Sequence, residues 1–480
     1  MSRPISTSMA SSCWKGRACI CSARIGTRSG RATSSGWVPI ARSCSIRPVG
    51  SLPPICSTRT SIAMFASEAY PGSAGWVMAR LDALAAFTDE PGRITRLAFS
   101  PSLDSANAEL IGWMRAAGMT ARIDAAGNVV GRYEGLQPDR PALLLGSHLD
   151  TVRNGGRYDG ALGVVAALAV VERLAKAGER LPFAIEIVAF ADEEGVRFGG
   201  TVLGSWALAG RIPEGWRERV DGDGVRAEDA VRAFGVDPDE VPAASRAADP
   251  PFAYVELHIE QGPILEQENC GLGIVTAIAG ASRLLVTVAG QAGHAGTVPM
   301  ALRRDALVAA SECVLAVDRL SRDKGAVGTV GHLRVEPDAV NVIPGRVRFS
   351  VDIRSGDDAE RKILLAEIRK AFDAIAVARG VGLAVEITSD TSAVPCAPVV
   401  VEAIGDVLAD MGLPRLELAS GAGHDGIAIS SIAPIGMIFL RCVGGVSHDP
   451  AEAVGVDDVA LGIEALERVC RRLGETSTCL

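Results

Sequence analysis

The chain has 480 residues, more than one ordinary domain holds, and its hydrophobic content of 48% is ample for large cores. Its net charge is -9, and an acidic protein is a poor partner for nucleic acid. No uninterrupted apolar run reaches the ~18 residues that a membrane-spanning helix needs. These quantities predict a two-domain protein that has neither nucleic acid nor a membrane as its main partner.

The first 70 residues differ in composition from the rest of the chain. They contain nine of the 48 Lys and Arg residues but one of the 57 acidic residues, Glu68. This Ser- and Arg-rich stretch resembles an organelle transit peptide, although it lacks the apolar centre of a secretory signal. We interpret residues 1–70 as an extension that is either disordered or translated from a misplaced start, with Met64 or Met78 as alternative starts.

The cysteines indicate the redox compartment of the body of the chain. Five of the eleven lie in the first 56 residues, and the other six are scattered without a CxxC pair. Scattered cysteines in a large chain are typical of reduced, buried thiols. We therefore expect a cytoplasmic protein.

Regular elements begin near residue 74. Helical spacing appears in "GWVMARLDALAAFT" and "SANAELIGWMRAAGM", and "TARIDAAGNVVGRYEG" alternates like a hairpin. A buried strand in "PALLLGSHLDT", a helix ending at Gly178 and a second buried strand in "PFAIEIVAFADEE" follow. Continuous apolar strands around a helix predict an α/β fold with a mostly parallel central sheet covered by helices.

A second pattern begins near residue 280. Alternating strands and two amphipathic helices follow in the order βαββαβ, from "SRLLVTVAGQAGHAG" to "GLAVEITSD". After Pro395 the apolar helix and strand pattern resumes. We therefore predict a discontinuous domain over residues 71–279 and 394–476, with residues 280–393 inserted as a second domain.

Scarce histidines stand beside acids at predicted strand ends. His148 and Asp150 are two residues apart in "GSHLDT", so a strand places both on one side, where Asp150 can fix the tautomer of a metal-binding His148. The alternative is a structural histidine near a loop. Asp159 follows in a glycine-rich loop before a helix, where it is either a metal ligand or the helix N-cap.

Three adjacent acids, Asp192, Glu193 and Glu194, end an apolar strand. Because the carboxyl ends of parallel strands converge on one crevice, Glu194 can join His148 and Asp159 around a divalent ion. A second ion would make Asp159 a bridge and leave Glu193 free to act as a base. The alternative is a solvated acidic loop.

Two later segments offer similar side chains. "YVELHIEQGP" presents His258, Glu260 and Gln261 after a short strand, and "CVGGVSHDPAE" presents His448 in a glycine-flanked loop. Mixed histidine and carboxylate ligands suit Zn, Mn, Co or Ni better than Mg or Ca.

In chain order, the segments "GSHLDTVRNGGRYDGALGV", "FADEEGVRFG", "HIEQGPILE", "GQAGHAGTVPM", "NVIPG", "SGAGHDG" and "GGVSHDPAE" resemble the amidase/carbamoylase branch of the M20 metallopeptidase clan. The resemblance covers roughly residues 75 to 475. One departure is "GQAGHAG", in which many relatives have Asn before the His. This branch includes allantoate amidohydrolase, N-carbamoyl-L-amino-acid hydrolase and β-ureidopropionase.

The resemblance implies two divalent ions per subunit, Mn, Zn, Co or Ni. One ion would be held by His148, Asp159 and His258, and the other by Asp159, Glu194 and His448. Glu193 would be the general base. Asp150 and His424 would contact and orient the ligands without binding metal themselves. For His424 the alternative is a direct contact with the substrate.

The resemblance also implies that the inserted domain is a lid and the dimerisation domain of a homodimer. From it His294, Asn341 and Arg354 would reach the substrate across the dimer interface, and His294 would donate to the developing oxyanion. The implied substrate contacts outside the lid are Gln261, Gly421, Ala422 and Gly423. Arg354 would pair with a substrate carboxylate; its alternative is an ordinary surface charge.

The implied reaction is hydrolysis of a C–N bond in a ureido or carbamoyl group of a small anionic substrate. We favour allantoate, converted to ureidoglycine, ammonia and carbon dioxide in allantoin catabolism, with an N-carbamoyl-L-amino acid or β-ureidopropionate as the alternative. A peptidase of the same clan is disfavoured, because such relatives generally have a carboxylate where His258 stands. A non-catalytic binding protein is disfavoured because this chain keeps Glu193 and all five candidate ligands.

Overall fold

The computed structural model describes residues 70–476 of the chain. Apart from Tyr70, the predicted extension lies outside the described residues. Within residues 70–476, no helix combines the length and the apolar character required to cross a bilayer.

The larger of the two main sheets has nine strands, and its centre is parallel. Strands β4, β3, β5 and β16 lie side by side in parallel, whereas antiparallel strands flank them on both edges. The nine strands are β1 (Thr120–Ile123), β2 (Val129–Tyr133), β3 (Leu143–His148), β4 (Ile185–Phe190), β5 (Ala253–Ile259), β6 (Leu272–Ile278), β14 (Val394–Pro395), β15 (Glu417–Ser420) and β16 (Ile435–Leu440). The predicted α/β fold with a mostly parallel centre is confirmed.

Helices cover this sheet because its central strands are buried on both faces, as their uninterrupted apolar runs predict. The longer helices pack a large core against one face, and a smaller core lies on the other. The helices of this part of the chain are α1 (Ala74–Ala85), α2 (Pro101–Ala116), α3 (Ala161–Ala177), α4 (Leu203–Leu208), α5 (Ala227–Ala233), α6 (Ile264–Gln267), α9 (Pro398–Asp410), α10 (Gly426–Ile429) and α11 (Val456–Thr476).

A separate five-stranded antiparallel sheet lies within residues 280–391. Helices α7 (Ala306–Lys324) and α8 (Asp358–Arg379) pack on one of its faces and form a core of their own. Its strands are β7 (Gly280–Ala289), β9 (Val327–Thr329), β10 (Leu333–Glu336), β12 (Arg346–Ser355) and β13 (Gly382–Thr391). A short ladder joins β8 (Gly293–His294) to β11 (Val342–Ile343). The first of the two strands predicted between the two amphipathic helices is divided into β9 and β10, which pair with different parts of β12.

Five cysteines of the described residues are free and buried, as the sequence predicts for reduced thiols: Cys270, Cys313, Cys396, Cys442 and Cys470.

A buried arginine fixes the loop that follows β3. The Arg96 side chain donates to the carbonyl oxygens of Leu149 at 2.7 Å, Leu84 at 2.7 Å and Phe87 at 3.1 Å. Burial lowers the pKa of Arg96 to about 10, so the guanidinium stays charged at neutral pH. The loop carrying Asp150 therefore depends on a cation that has no access to water.

We expect Arg96→Leu to lower the free energy of unfolding by about 3 kcal/mol, because buried carbonyl groups would lose their donor. Denaturant unfolding measures this loss. Arg153→Leu is the control, since Arg153 forms an exposed ion pair with Glu90 that contributes less than about 1 kcal/mol. Equal effects of the two substitutions would contradict the anchoring role of Arg96.

Candidate metal centre

The ends of three neighbouring parallel strands bring the candidate ligands together. Strand β3 ends at His148, β5 carries His258 next to its last residue, and the acid run follows β4 after one alanine. Parallel strands place their carboxyl ends at one edge of the sheet, so residues about 110 positions apart in sequence become neighbours.

The first group consists of His148, Asp159 and His258, which are all buried. One ligand atom from each lies within 4.8 Å of the others, and His258 Nε2 is 3.2 Å from Asp159 Oδ1. The Nδ1 atoms of both histidines are 2.9 Å from backbone carbonyl oxygens, those of Asp150 and Ile259. A carbonyl oxygen only accepts, so these contacts place a proton on Nδ1 and make Nε2 the nitrogen available to a metal.

The second group consists of Asp159, Glu194 and His448, again within 4.8 Å. His448 Nε2 lies 3.1 Å from Asp159 Oδ2 and 3.8 Å from Glu194 Oε1. Asp159 therefore directs one carboxylate oxygen toward each histidine and belongs to both groups. The side chain of His448 is half exposed, so the site opens to solvent on this side.

A divalent cation fits these residues. Buried His258 Nε2 and Glu194 Oε1 have no hydrogen-bond partner. His258 Nε2 is close enough to Asp159 for an ion pair but is not aligned for a hydrogen bond. Unsatisfied buried polar atoms are costly, and a metal ion would satisfy both of them.

The electrostatics of the acids also favour a cation. Burial raises the pKa of Glu193 well above its ordinary value, and the charge of nearby Asp425 raises it further. Burial likewise raises the pKa of Glu194 to about 7. Burial opposes ionisation of Asp159 as well, but close contacts with His258 and His448 hold its pKa well below the ordinary value. Added positive charge would offset the repulsion among these carboxylates.

A third group of possible ligands, Glu256, His258 and His424, also lies within 4.8 Å. Here other partners already occupy the polar atoms. Glu256 accepts hydrogen bonds from Ser147 at 2.7 Å and Tyr254 at 2.8 Å. Because its acceptors are satisfied, this group fits a cation less well than the first two.

Glu193 lies beside the two groups but belongs to neither. It is 8% exposed, and its Oε2 atom is 3.8 Å from His148 Nε2. The carboxylate of Asp150 accepts the backbone N–H groups of Glu193 at 3.2 Å and Glu194 at 3.1 Å. Asp150 thus orients the acid run, while its backbone carbonyl oxygen, rather than its carboxylate, is the hydrogen-bond partner of His148.

Two alternatives raised by the sequence are wrong. Asp159 is not the N-cap of α3: the cap is Gly160, which has no side-chain capping bond. Gly160 has φ of 65°, and a Cβ atom there would lie 2.4 Å from the His148 ring, so glycine is required. The acid run is not a solvated loop, because Asp192 is 3% exposed and Glu193 is 8% exposed.

Gln261, predicted to contact substrate, lies against Asp159. Its Nε2 atom donates to Asp159 at 3.1 Å and to Ser447 at 3.3 Å. Backbone φ is positive at Gln261 (56°) and at His448 (57°). Such conformations are strained for residues other than glycine and occur frequently at functional sites.

Arg354 of the inserted sheet contacts the loop that follows β15. Arg354 donates to the Gly421 carbonyl oxygen at 2.7 Å and forms two hydrogen bonds with Asp352. Gly421 begins the loop that also holds Ala422 and Gly423. Ser420, directly before this loop, lies 2.7 Å from His424 Nε2, and the His424 ring is 4.6 Å from that of His258. A chain of contacts thus links Arg354 to the first metal group.

His294 and Asn341 also lie together, at the β8–β11 ladder. The backbone N–H of Ala295 donates to the Asn341 carbonyl oxygen at 3.0 Å, and His294 pairs with Val342. The His294 side chain is exposed and accepts the Gly296 N–H. His332 is exposed too, and its backbone pairs with Ser350 of β12.

Two buried acids at the site, Glu452 and Asp425, are not among the residues predicted from the sequence. Glu452 accepts the backbone N–H of Asp159, and Asp425 is fully buried with neither carboxylate oxygen hydrogen-bonded. The hydroxyl of Ser205 neighbours Asp425 but donates to Val202 instead. Both acids occur within quoted motifs, "GGVSHDPAE" and "SGAGHDG". Neither acid lies at a predicted strand end, so the pattern that identified several of the other site residues did not identify these two.

Comparison with known proteins identifies similar chains. The model of peptidase family M20/M25/M40 matches residues 144–472. An N-carbamoyl-L-amino acid amidohydrolase of Geobacillus stearothermophilus is 43% identical over 80% of this chain and 94% of its own length. An allantoate deiminase of Arabidopsis thaliana is 38% identical over 81% of each chain. A crystal structure of a hydantoinase/carbamoylase family amidase from Burkholderia multivorans has a TM-score of 0.78 at 34% identity, covering 83% of this chain and 97% of that one.

Proposed function

Because the chain belongs to peptidase family M20/M25/M40, in the amidase/carbamoylase branch, we propose that it hydrolyses a ureido or carbamoyl C–N bond in a small carboxylated substrate. It is a hydrolase of non-peptide C–N bonds, as the relatives named amidohydrolase and deiminase are. The observation that carries the proposal is the shared position of Asp159, with one oxygen toward His258 and the other toward His448.

The proposed metal ligands are His148, Asp159 and His258 for one ion, and Asp159, Glu194 and His448 for the other. When bound, divalent ions supply Lewis acidity to the ureido carbonyl group and to the attacking water. Histidine and carboxylate donors together suit Mn, Zn, Co or Ni.

Glu193 supplies the acid–base chemistry in this proposal. It accepts a proton from the attacking water and returns it to the leaving nitrogen. Burial and nearby carboxylates raise the pKa of Glu193. Its carboxylate must be ionised to accept that proton, and positive charge between the two ligand groups would favour the ionised form. Asp150 keeps the Glu193 backbone in place throughout, through the hydrogen bond at 3.2 Å.

Substrate contacts come from the inserted sheet and the loop at 421–423. Arg354 pairs with the substrate carboxylate, His294 donates to the developing oxyanion, and Asn341 lies beside His294. Gln261 would exchange its contact with Asp159 for one with substrate.

The proposed substrate is allantoate, which carries one carboxylate and two ureido groups. Each turnover consumes one water, breaks the C–N bonds of one ureido carbonyl, and yields ureidoglycine, ammonia and carbon dioxide. An N-carbamoyl-L-amino acid is the second candidate, and the 43% identical relative favours it. Ammonia release from allantoate, measured against a panel of N-carbamoyl-L-amino acids, decides between them. Activity on neither class would refute the proposed function.

We expect Arg354→Lys to raise KM for the carboxylated substrate about 10-fold or more, with a smaller change in kcat. An ammonium group cannot form the two parallel hydrogen bonds that a guanidinium offers to a carboxylate. Steady-state kinetics measure both constants.

Arg283→Lys is the matched control for this test, since Arg283 lies 3.2 Å from the same Asp352 but is exposed on the neighbouring strand. An unchanged KM in Arg354→Lys, or an equal rise in the control, would remove Arg354 from substrate binding.

We further propose that residues 280–393 form a lid and mediate homodimerisation. The independent core under α7 and α8 would let this unit move as a body relative to the nine-stranded sheet. Light scattering during gel filtration tests the dimer. A mass of two chains is expected, and a mass of one chain would contradict it.

A further inference from the structure

Glu452 is buried at the centre of the site, with 4% of its surface exposed, and its carboxylate makes three hydrogen bonds. Its Oε1 atom accepts the backbone N–H groups of Tyr158 at 2.8 Å and Asp159 at 3.1 Å. Its Oε2 atom accepts the hydroxyl of Ser447 at 3.3 Å. A single carboxylate therefore contacts the backbone of the shared ligand, Asp159, and the residue that precedes His448.

Ser447 closes a ring of contacts between the two loops. Its hydroxyl lies 3.2 Å from Asp159 Oδ2 as well as 3.3 Å from Glu452 Oε2. Because one hydroxyl hydrogen serves one acceptor at a time, Ser447 donates to either carboxylate. Glu452 thus contacts the backbone of Asp159 directly and is connected to its side chain through Ser447.

Glu452 is itself held by the segment that carries His448. The backbone N–H of Glu452 donates to Asp449 at 3.0 Å, and that of Val443 donates to Ala453 at 2.8 Å. Cys442 and Val454 form an antiparallel bridge at the base of this loop. The position of Glu452 is therefore set by the C-terminal loop, and its hydrogen bonds extend to the loop before α3.

The loop before α3 leaves space for this carboxylate at Gly156. A Cβ atom on Gly156 would lie 2.2 Å from both Cδ and Oε1 of Glu452 and 2.6 Å from its Cβ atom. No positive φ is involved, so the glycine is required by the close approach of Glu452 and not by backbone conformation.

We propose that Glu452 is a positioning residue that couples the Asp159 loop to the His448 loop and thereby sets the geometry of both metal groups. This inference rests on the metal centre of the proposed function. Glu452 itself belongs to neither group of proposed ligands. Removing partners that orient metal ligands typically lowers metal affinity by about 10- to 100-fold.

Three substitutions test the coupling. Glu452→Ala removes all three hydrogen bonds, and Gly156→Ala displaces the same carboxylate from the opposite loop. Glu452→Gln keeps an oxygen that can accept both N–H groups, so it should rescue most of the effect. Gly222→Ala is the control, because that glycine is exposed and a Cβ atom there meets nothing within 4 Å.

The readouts are Mn²⁺ affinity by competition with a chelating dye, and Tm with and without Mn²⁺. We expect Glu452→Ala and Gly156→Ala to bind Mn²⁺ at least about 10-fold more weakly, and to lose much of the Mn²⁺-induced rise in Tm. Glu452→Gln should fall between them and wild type.

Wild-type Mn²⁺ affinity in the three variants, with a Tm lowered equally in both conditions, would show a merely structural role and overturn the inference. If Glu452→Ala does not fold, Gly156→Ala and Glu452→Gln decide the question. A wild-type protein that binds no Mn²⁺, Zn²⁺, Co²⁺ or Ni²⁺ refutes the proposed function instead, and the inference falls with it.

Discussion

Glu193→Gln is expected to lower kcat at least about 100-fold while the metal content stays near that of wild type. Glutamine has almost the same shape as glutamate but cannot accept the proton of the attacking water. The backbone hydrogen bond from residue 193 to Asp150, 3.2 Å long, does not involve the side chain and should persist. Steady-state kinetics and elemental analysis of the same preparation measure both quantities.

Glu109→Gln on the exposed face of α2 is the control for the same chemical change. Metal loss together with activity would make Glu193 a ligand, and undiminished turnover would exclude it as the base. Because Glu193 lies outside both ligand groups, the expected separation of activity from metal content is specific to the proposed arrangement.

Asp159→Asn is expected to abolish activity and to lower the apparent affinity for both ions by more than about 100-fold. Loss of an outer partner already costs a metal site about 10- to 100-fold, and Asp159 is a proposed ligand of each ion. His258→Ala and His448→Ala should each weaken one site more than the other. Titration of the metal-free proteins with Mn²⁺ resolves the two affinities.

Asp223→Asn, on the exposed surface, is the control for this second prediction. The shared position of Asp159 would be contradicted if Asp159→Asn kept one site at wild-type affinity. Retention of both sites would contradict the proposed ligand sets altogether.

The parallel centre of the large sheet could be predicted from the sequence because its strands carry their own signal. In β3 and β4 every residue is buried; β3 ends on His148, and Asp192 follows β4 after one alanine. Since parallel strands end at one edge, the approach of His148 to the acid run follows from strand order and needs no knowledge of side-chain contacts. Gly178 likewise ends α3 with φ of 67°, as a glycine beyond the last helical turn predicts.

Local rules were insufficient where distant residues compete for the same group. A loop aspartate before a helix is typically an N-cap, yet Asp159 contacts His258 and His448, which are about 100 and 290 residues away in sequence. These ion-pair contacts replace the capping bond, and Gly160 is the N-cap instead.

The role of Glu452 could not be predicted from the sequence for the same reason. Its partners Tyr158 and Asp159 lie about 290 residues earlier, and no periodicity links the two segments. In the same way, nothing in "GSHLDT" shows that His148 contacts the carbonyl oxygen of Asp150 while the Asp150 carboxylate turns to the acid run. A hydrogen bond to a backbone group cannot be predicted from the pattern of side chains in the sequence.

Anomalous X-ray diffraction from crystals grown with Mn²⁺ tests the central claim most directly. We expect two anomalous peaks per subunit, each ~2.0–2.2 Å from a different carboxylate oxygen of Asp159, one beside His258 and the other beside His448. A single peak among Glu256, His258 and His424, or no peak near Asp159, would contradict it.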